Sequence, residues 1–439
     1  MKKIFQQIGV EIFSDLLPDE DASLQLSGED TIYIRYNAGQ VRQNTQVHQY
    51  SLTLVYKKGK KVLHQSWSMI ADVSQAVQEA KKYLYFLREQ AVLIAESPFE
   101  PEMADHGKSD VDHKGNLPSP ESIFQEIHEA SQGTDFCGLV ASGKQVVAIQ
   151  NSKGQFHWFS KESFFVDYSL YFGERAVKAF YAGSDWSAQA LKENIQKSVQ
   201  HLEIMKRPMV KLKPGAYRIF LEPAAVAELV GHLSYSSFSF RNFKSGDGLW
   251  IELAHQRKTL SPLLNLRENF ELGFVPMFNK LGELSPAQVP LIESGVLKNW
   301  LVSTASAKEF SVETNHASPS EYPRSLEILP GTLRRDEILP QLGTGLYLAN
   351  LHYVNASDQK SARLTGMTRF AAFWVQNGQI VGPIDNLRFD ESLYEAWGQK
   401  LLALTEDSEI IPDTSTYGAR ALSGNKLPGM LIDQFSFTL

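Results

Sequence analysis

Tyr217-Arg218-Ile219-Phe220-Leu221-Glu222-Pro223-Ala224-Ala225-Val226-Ala227-Glu228-Leu229-Val230-Gly231-His232-Leu233 is a strand signal that runs straight into a helix signal. Tyr217 to Leu221 are bulky and mixed in polarity. Pro223 suits the first helical position, where its missing N–H costs nothing and its fixed φ is already helical. Val226, Leu229, Val230 and Leu233 recur at i, i+3, i+4 and i+7, so one apolar stripe faces a core. Glu228 and His232 then share a neighbouring flank, one helical turn apart and within mutual reach. Chemistry in this segment would sit on that pair. The plain structural alternative is that the two side chains pair with each other and with the helix dipole, near an end that Gly231 helps to terminate.

Around this segment, composition bounds the answer. At 439 residues the chain is long enough for two or three domains, and 43% hydrophobic residues can fill a large core. Its 50 acidic and 43 basic residues give a formal charge of -7, which argues against nucleic acid or an anionic membrane as the main partner. The basic cluster Lys57, Lys58, Lys60 and Lys61 surrounds a glycine and reads as a solvated hairpin tip. Cys137 is the single cysteine, so no intrachain disulfide can form. The thiol falls in an apolar strand and is expected to be buried and inert. The first residues are charged and then polar, with no apolar run of signal-peptide or membrane-span length, and the expected location is cytoplasmic.

Taken in order, residues 3–16 have helical apolar spacing and stop before Pro18. Thr31 to Tyr36, Val47 to Tyr56 and Lys61 to Met69 predict an antiparallel meander, with a helix from Val73 to about Ala95 packed on it. From Ser97 to Ser122 the sequence turns to Pro, Gly, His, Asp and Lys and reads as a flexible surface loop or mobile linker. His106 and His113 lie there among Asp105, Asp110 and Asp112; solvent exposure outweighs a metal clip, because no cysteine joins them. A helix from Pro120 to Ser131 precedes short strands at Cys137 to Ala141, Gln145 to Gln150, Gln155 to Ser160, Ser163 to Phe172 and Arg175 to Tyr181. Asp185-Trp186-Ser187 then caps a helix reaching Met205. In the C-terminal half, Ser294-Gly295 and Asn377-Gly378 are hairpin turns. Gly343-Thr344-Gly345 lacks the lysine and following helix of a phosphate loop and reads as a tight turn.

Several of these stretches together resemble the TldD/PmbA family, also described as the modulator of DNA gyrase or zinc peptidase family. They are Leu212 to Val226, the Leu291 to Trp300 hairpin, Gly345-Leu346-Tyr347-Leu348, Leu364-Thr365-Gly366 and Phe373 to Pro383. The resemblance implies an α+β protein: an N-terminal domain of helices and antiparallel sheet over 1–207, with the flexible loop at 97–122, then a strand-rich C-terminal domain over 208–439. TldD-type members are zinc peptidases in which a His-Glu-x-x-x-His helix supplies two ligands and a base, with a cysteine ligand near the C-terminus. PmbA-type members, also called TldE, lack those ligands and assemble with TldD. Here the corresponding segment reads Ala227-Glu228-Leu229-Val230-Gly231-His232, and Thr414 to Arg420 contains no thiol.

A catalytic zinc wants three protein ligands and an open water position, and His232 alone supplies one. The resemblance therefore implies a non-catalytic, TldE-like subunit with no metal at Ala227 and no cofactor of its own. Zinc would belong to a TldD-like partner in a heterodimer that processes or degrades extended peptides, bound by strand addition at exposed edges of the C-terminal sheet. Glu228 and His232 remain the residual site candidates. Two alternatives stay open: a self-sufficient peptidase with an atypical site, and a homodimeric peptide-binding protein without enzymatic activity. No nucleophile-elbow pattern supports the first.

Overall fold

A computed structural model describes residues 1–69, 72–234 and 237–438. The first sheet contains β1 (Glu20–Asn37), β2 (Gln40–Lys58), β3 (Lys61–Ser68), β4 (Lys108–His113), β5 (Asp135–Asn151), β6 (Phe156–Phe172) and β7 (Arg175–Gly183). Its order is β3-β2-β1-β5-β6-β4, with β7 also paired to β6. β1, β5 and β6 are long, at 18, 17 and 17 residues, so the pairs of short strands expected on either side of Gly143 and of Lys161 are each one continuous strand. Period-two alternation carries through the polar residues that had suggested turns. Even-numbered residues such as Leu24, Ile34, Val140, Val166 and Tyr168 are buried in apolar cores, while odd-numbered Glu29, Gln145 and Ser163 are buried and polar on the opposite face.

The even-numbered face is covered by four helices: α1 (Lys2–Ser14), α2 (Val73–Gln90), α3 (Pro120–Ala130) and α4 (Ala188–Met205). α1 and α2 pack Phe5, Ile8, Ile12, Ala80 and Leu84 against Leu24, Leu52 and Leu54. Arg88 of α2 holds the Glu20 carboxylate in a two-pronged contact at 2.7 and 2.8 Å, and Tyr56 and the Leu17 N–H also donate to it. Ser187 caps α4 by accepting from the Ala190 N–H.

The segment 97–122 is not a free linker. Lys108–His113 forms β4, parallel to β6, and the stretch before it is tied down by Asn151 donating to the Ala104 carbonyl at 2.7 Å. Its polar composition hid the strand because an edge strand is held by main-chain hydrogen bonds, and charged side chains guard the open edge.

The second sheet is 11-stranded and starts at β8 (Gly215–Leu221), which leads into α5 (Pro223–Gly231). It continues with β9 (Leu266–Asn269), β10 (Gln288–Glu293), β11 (Val296–Leu297), β12 (Leu326–Ile328), β13 (Gly345–Asp358), β14 (Arg363–Gln376), β15 (Gln379–Pro383), β16 (Arg388–Ser392), β17 (Leu401–Pro412) and β18 (Gly424–Phe437). The order is β11-β10-β9-β12-β18-β16-β14-β13-β8, and β18 also pairs with β8. Strands β8, β13, β14, β16 and β18 thus close a ring, while β11, β15 and β17 each pair with a single strand and leave an edge. Both hairpins form, with left-handed backbone at Ser294, Gly295, Asn377 and Gly378.

Alternation on the second sheet joins the two halves. Ile219, Leu221, Leu346, Leu348, Met430 and Ile432 share a core with α5, while Phe220, Tyr347, Phe373 and Leu431 share one with α4 and the first sheet. Truncating a large side chain in this shared core, Phe373→Ala, should cost about 3–5 kcal/mol in urea unfolding while leaving a single transition, since both sheets lean on it. A second prediction concerns Glu20. Burial pushes its carboxyl up, but Arg88, Leu17 and Tyr56 outweigh burial and hold it at about 2, against an ordinary 4.5. This contribution to stability is present above pH 4.5 and lost as pH falls towards 2. Glu20→Gln should flatten the acid limb of Tm against pH in that window.

Candidate functional site

Glu222 starts the site. It is the N-cap residue of α5, with Pro223 at the first helical position as the sequence predicts. Its carboxylate accepts from the Tyr347 hydroxyl and lies 3.1 Å from the Lys197 ammonium of α4. Burial would raise this carboxyl, but the charges of Lys197 and His201 and these hydrogen bonds bring it below its ordinary value. A carboxylate here also faces the positive end of the helix dipole. Behind it, Ala225, Val226, Leu229 and Val230 are buried, and α5 is thereby fixed in position and rotation.

That rotation places the flank residues apart in function. Glu228 is exposed, whereas Ala227 and His232 are half-buried. His232 ends α5 and opens a short 3-10 turn. Burial lowers its pKa, opposed by the Asn355 backbone at the far end of β13. For Glu228, desolvation raises the carboxyl and the longer-range charge of Lys178 on β7 opposes the rise. The ion pairs among the described residues do not join Glu228 to His232.

Lys178 is the hub that sequence reading missed. It lies 3.4 Å from Asp167 of β6, and Asp167 accepts from the Thr414 hydroxyl at 3.3 Å. Its charge also lowers the pKa of His352, beside burial and Arg369. No local motif marks Asp167 or Lys178; they are odd-face strand residues that meet only through strand pairing. They line one wall of a cleft of about 1250 Å³ on the odd-numbered face, with Tyr33, Arg35, Gln49 and Tyr171. Residues Thr416, Gly418 and Ala419, from the segment where a cysteine ligand was sought, form another wall.

Cys137 lines this cleft too, half-buried, with Sγ 3.3 Å from Asn37 Oδ1 and 3.7 Å from Asp135 Oδ1. It is therefore not the enclosed thiol its apolar strand suggested, because it points to the polar face. Its hydrogen-bond partners include no histidine to take its proton. His106 and His113 do not converge with their neighbouring aspartates: His113 stacks edge-on to Phe159 at 5.4 Å, and Asp112 pairs with Lys144 at 3.2 Å.

Residues 214–439 match the sequence profile of the PmbA/TldA metallopeptidase C-terminal domain. The chain belongs to the PmbA/TldD family. The curated relative Metalloprotease PmbA of Escherichia coli O157:H7 is 31% identical over 110 residues, a stretch covering 24% of this chain and 23% of that protein. TldE from Thermococcus kodakarensis has the same fold over the whole of both chains, with a TM-score of 0.80 at 14% identity. A Thermotoga maritima protein described as a modulator of a DNA gyrase also aligns over both full chains, with a TM-score of 0.75 at 12% identity.

Membership in a metallopeptidase-related family raises the question of fit to a metal. Ala227 offers no donor atom and Thr414 to Arg420 offers no thiol. Among the described residues no group of three or more His, Cys, Asp or Glu side chains could hold a metal ion. The donor set here does not fit a catalytic zinc. If Lys178 holds Glu228 towards its ionised form, Lys178→Met should raise the Glu228 pKa further in a carboxyl NMR titration, with Glu228→Gln assigning the resonance. An unmoved Glu228 would show that the two side chains do not interact.

Proposed function

We propose that this chain is a non-catalytic, TldE-like subunit that pairs with a TldD-like zinc peptidase and helps to receive extended peptide. The observation that carries this reading is the replacement at the helix: alanine stands at a position needed for a metal donor, and Thr414 to Arg420 holds no thiol. The charge of Lys178 on β7 acts on the Glu228 carboxyl at longer range and disfavours a divalent ion beside it. Zinc, in this reading, is the partner's. The cleft on the odd-numbered face supports a peptide-receiving role. It has a volume of about 1250 Å³ and combines Tyr33, Tyr171 and Leu139 with the hydrogen-bonding and charged groups of Gln49, Arg35 and Asp167. An extended chain has regularly spaced main-chain donors and acceptors, which such a wall can meet with little dependence on side-chain identity.

The isolated chain should contain no stoichiometric zinc by elemental analysis and cleave no unfolded peptide in a chelator-sensitive manner. Mixed with a TldD-like chain, it should co-elute as a heterodimer in size-exclusion chromatography. Chelator-sensitive hydrolysis by this chain alone, abolished by His232→Ala, would overturn the proposal in favour of a self-sufficient peptidase. A stable homodimer that ignores the TldD-like chain would overturn the pairing.

A further inference from the structure

Beside the main cleft, the odd-numbered face of the first sheet carries a second cavity of about 280 Å³, walled by β6, the end of β7 and the segment preceding β18. Two cations line it. Lys161 of β6 enters no ion pair among the described residues and no hydrogen bond from Nζ; the contact its ammonium makes is with the ring of Phe274, 5.0 Å away. Arg420 is only 7% exposed. It donates from one terminal nitrogen to the Ser163 carbonyl at 2.9 Å and from the other to Ser163 Oγ at 3.0 Å, which leaves its buried Nε with no acceptor.

Holding the half-buried Lys161 ammonium beside the buried Arg420 guanidinium is costly unless an anion compensates them. The Glu29 charge favours the ionised Arg420, but no carboxylate among the described residues pairs with Lys161. Glu29 reaches Arg420 through the main-chain N–H and is also engaged by Tyr33 and Gln49. Asp185 and Asp413 lie on the cavity wall without pairing to either cation, and His113, on the neighbouring β4, is itself depressed by burial and by the Lys161 charge. Burial and the Arg420 charge push Lys161 down to about 8, and burial, opposed by Tyr33 and Glu29, pushes Arg420 down to about 10. Ser163 Oγ accepts from Arg420, so its own O–H remains free to donate into the site.

We infer that Lys161, Arg420 and Ser163 form a binding site for a carboxylate. Three donors remain: the Lys161 ammonium, the Arg420 Nε–H and the Ser163 hydroxyl. A carboxylate places two oxygens against them and supplies the missing negative charge through charge-assisted hydrogen bonds. The cavity suits a short group, which is either a small organic acid or the acidic side chain or C-terminus of a peptide. Since Arg420 follows the Gly418-Ala419 wall of the main cleft, occupation would also pin that wall. The inference stands whether or not the chain pairs with a peptidase.

The test reads Lys161 directly. The full-length chain is acylated with trace neutral N-hydroxysuccinimidyl ester at constant ionic strength, and Lys161 and surface Lys298 are quantified by peptide mass spectrometry. Sodium acetate at about ten times its dissociation constant should slow labelling of Lys161 about tenfold relative to chloride, with Lys298 unchanged. Arg420→Gln should abolish protection, and the milder Ser163→Ala should weaken it if Arg420→Gln does not fold. A peptide with a free C-terminal acid protecting at lower concentration than acetate, and its amide not protecting, assigns the peptide source; protection by acetate alone assigns the small acid. Equal protection by chloride, or stronger protection by phosphate, overturns the carboxylate assignment, as does undiminished protection in both variants.

Discussion

The segment from Asp413 to Ser423 crosses the odd-numbered face of the first sheet, and the hydrogen bonds that hold it there set the geometry of everything around the site. Gln145 donates to two consecutive carbonyls, Arg420 at 2.9 Å and Ala421 at 3.2 Å, while Gln49 donates to Gly418 at 3.0 Å. Glu29 accepts the Arg420 main-chain N–H at 3.2 Å. A chain laid over a sheet face without such partners would bury unsatisfied main-chain groups, each costing about 1–3 kcal/mol. The polar odd-numbered residues of β1, β5 and β6 are therefore the counterpart of the apolar even-numbered ones: both faces are covered, one by packing and one by hydrogen bonding.

Charge is organised in the same way along α5. A half-buried carboxylate at its start is neutralised by Lys197 and bonded by Tyr347, and the charge of Lys178 acts at longer range on the outward carboxylate of Glu228. Lys178 itself pairs with Asp167, which accepts from Thr414. The ion pair of β6 and β7 is thereby tied to the C-terminal segment.

Much of this was legible in the residues. Apolar spacing marked α5 because its core face repeats at helical period, and Asn377-Gly378 and Ser294-Gly295 marked hairpins because those turns need left-handed backbone. The gap at Ala227 was visible because a missing donor atom needs no structure to recognise. β4 was not legible, since an edge strand of mostly charged residues carries no burial pattern. The continuity of β5 and β6 was also hidden, because polar residues facing a polar cover look like turns. Cys137 was assigned to the wrong face for a related reason: its neighbours are apolar, but alternation sends its own side chain to the cleft.

Sequence alone therefore determined the α+β class, the strand-to-helix unit at its centre, the family resemblance and the absence of a donor atom at Ala227. Each depends on local periodicity, on turn chemistry or on the identity of one side chain. Tertiary structure decided the rest: the closure of the second-sheet ring, the meeting of Lys178 with Asp167, and the burial of Arg420 beside Lys161. Those contacts join residues far apart in the chain, and their partners are chosen by strand register and by which face of a sheet is covered, which no short window of sequence encodes.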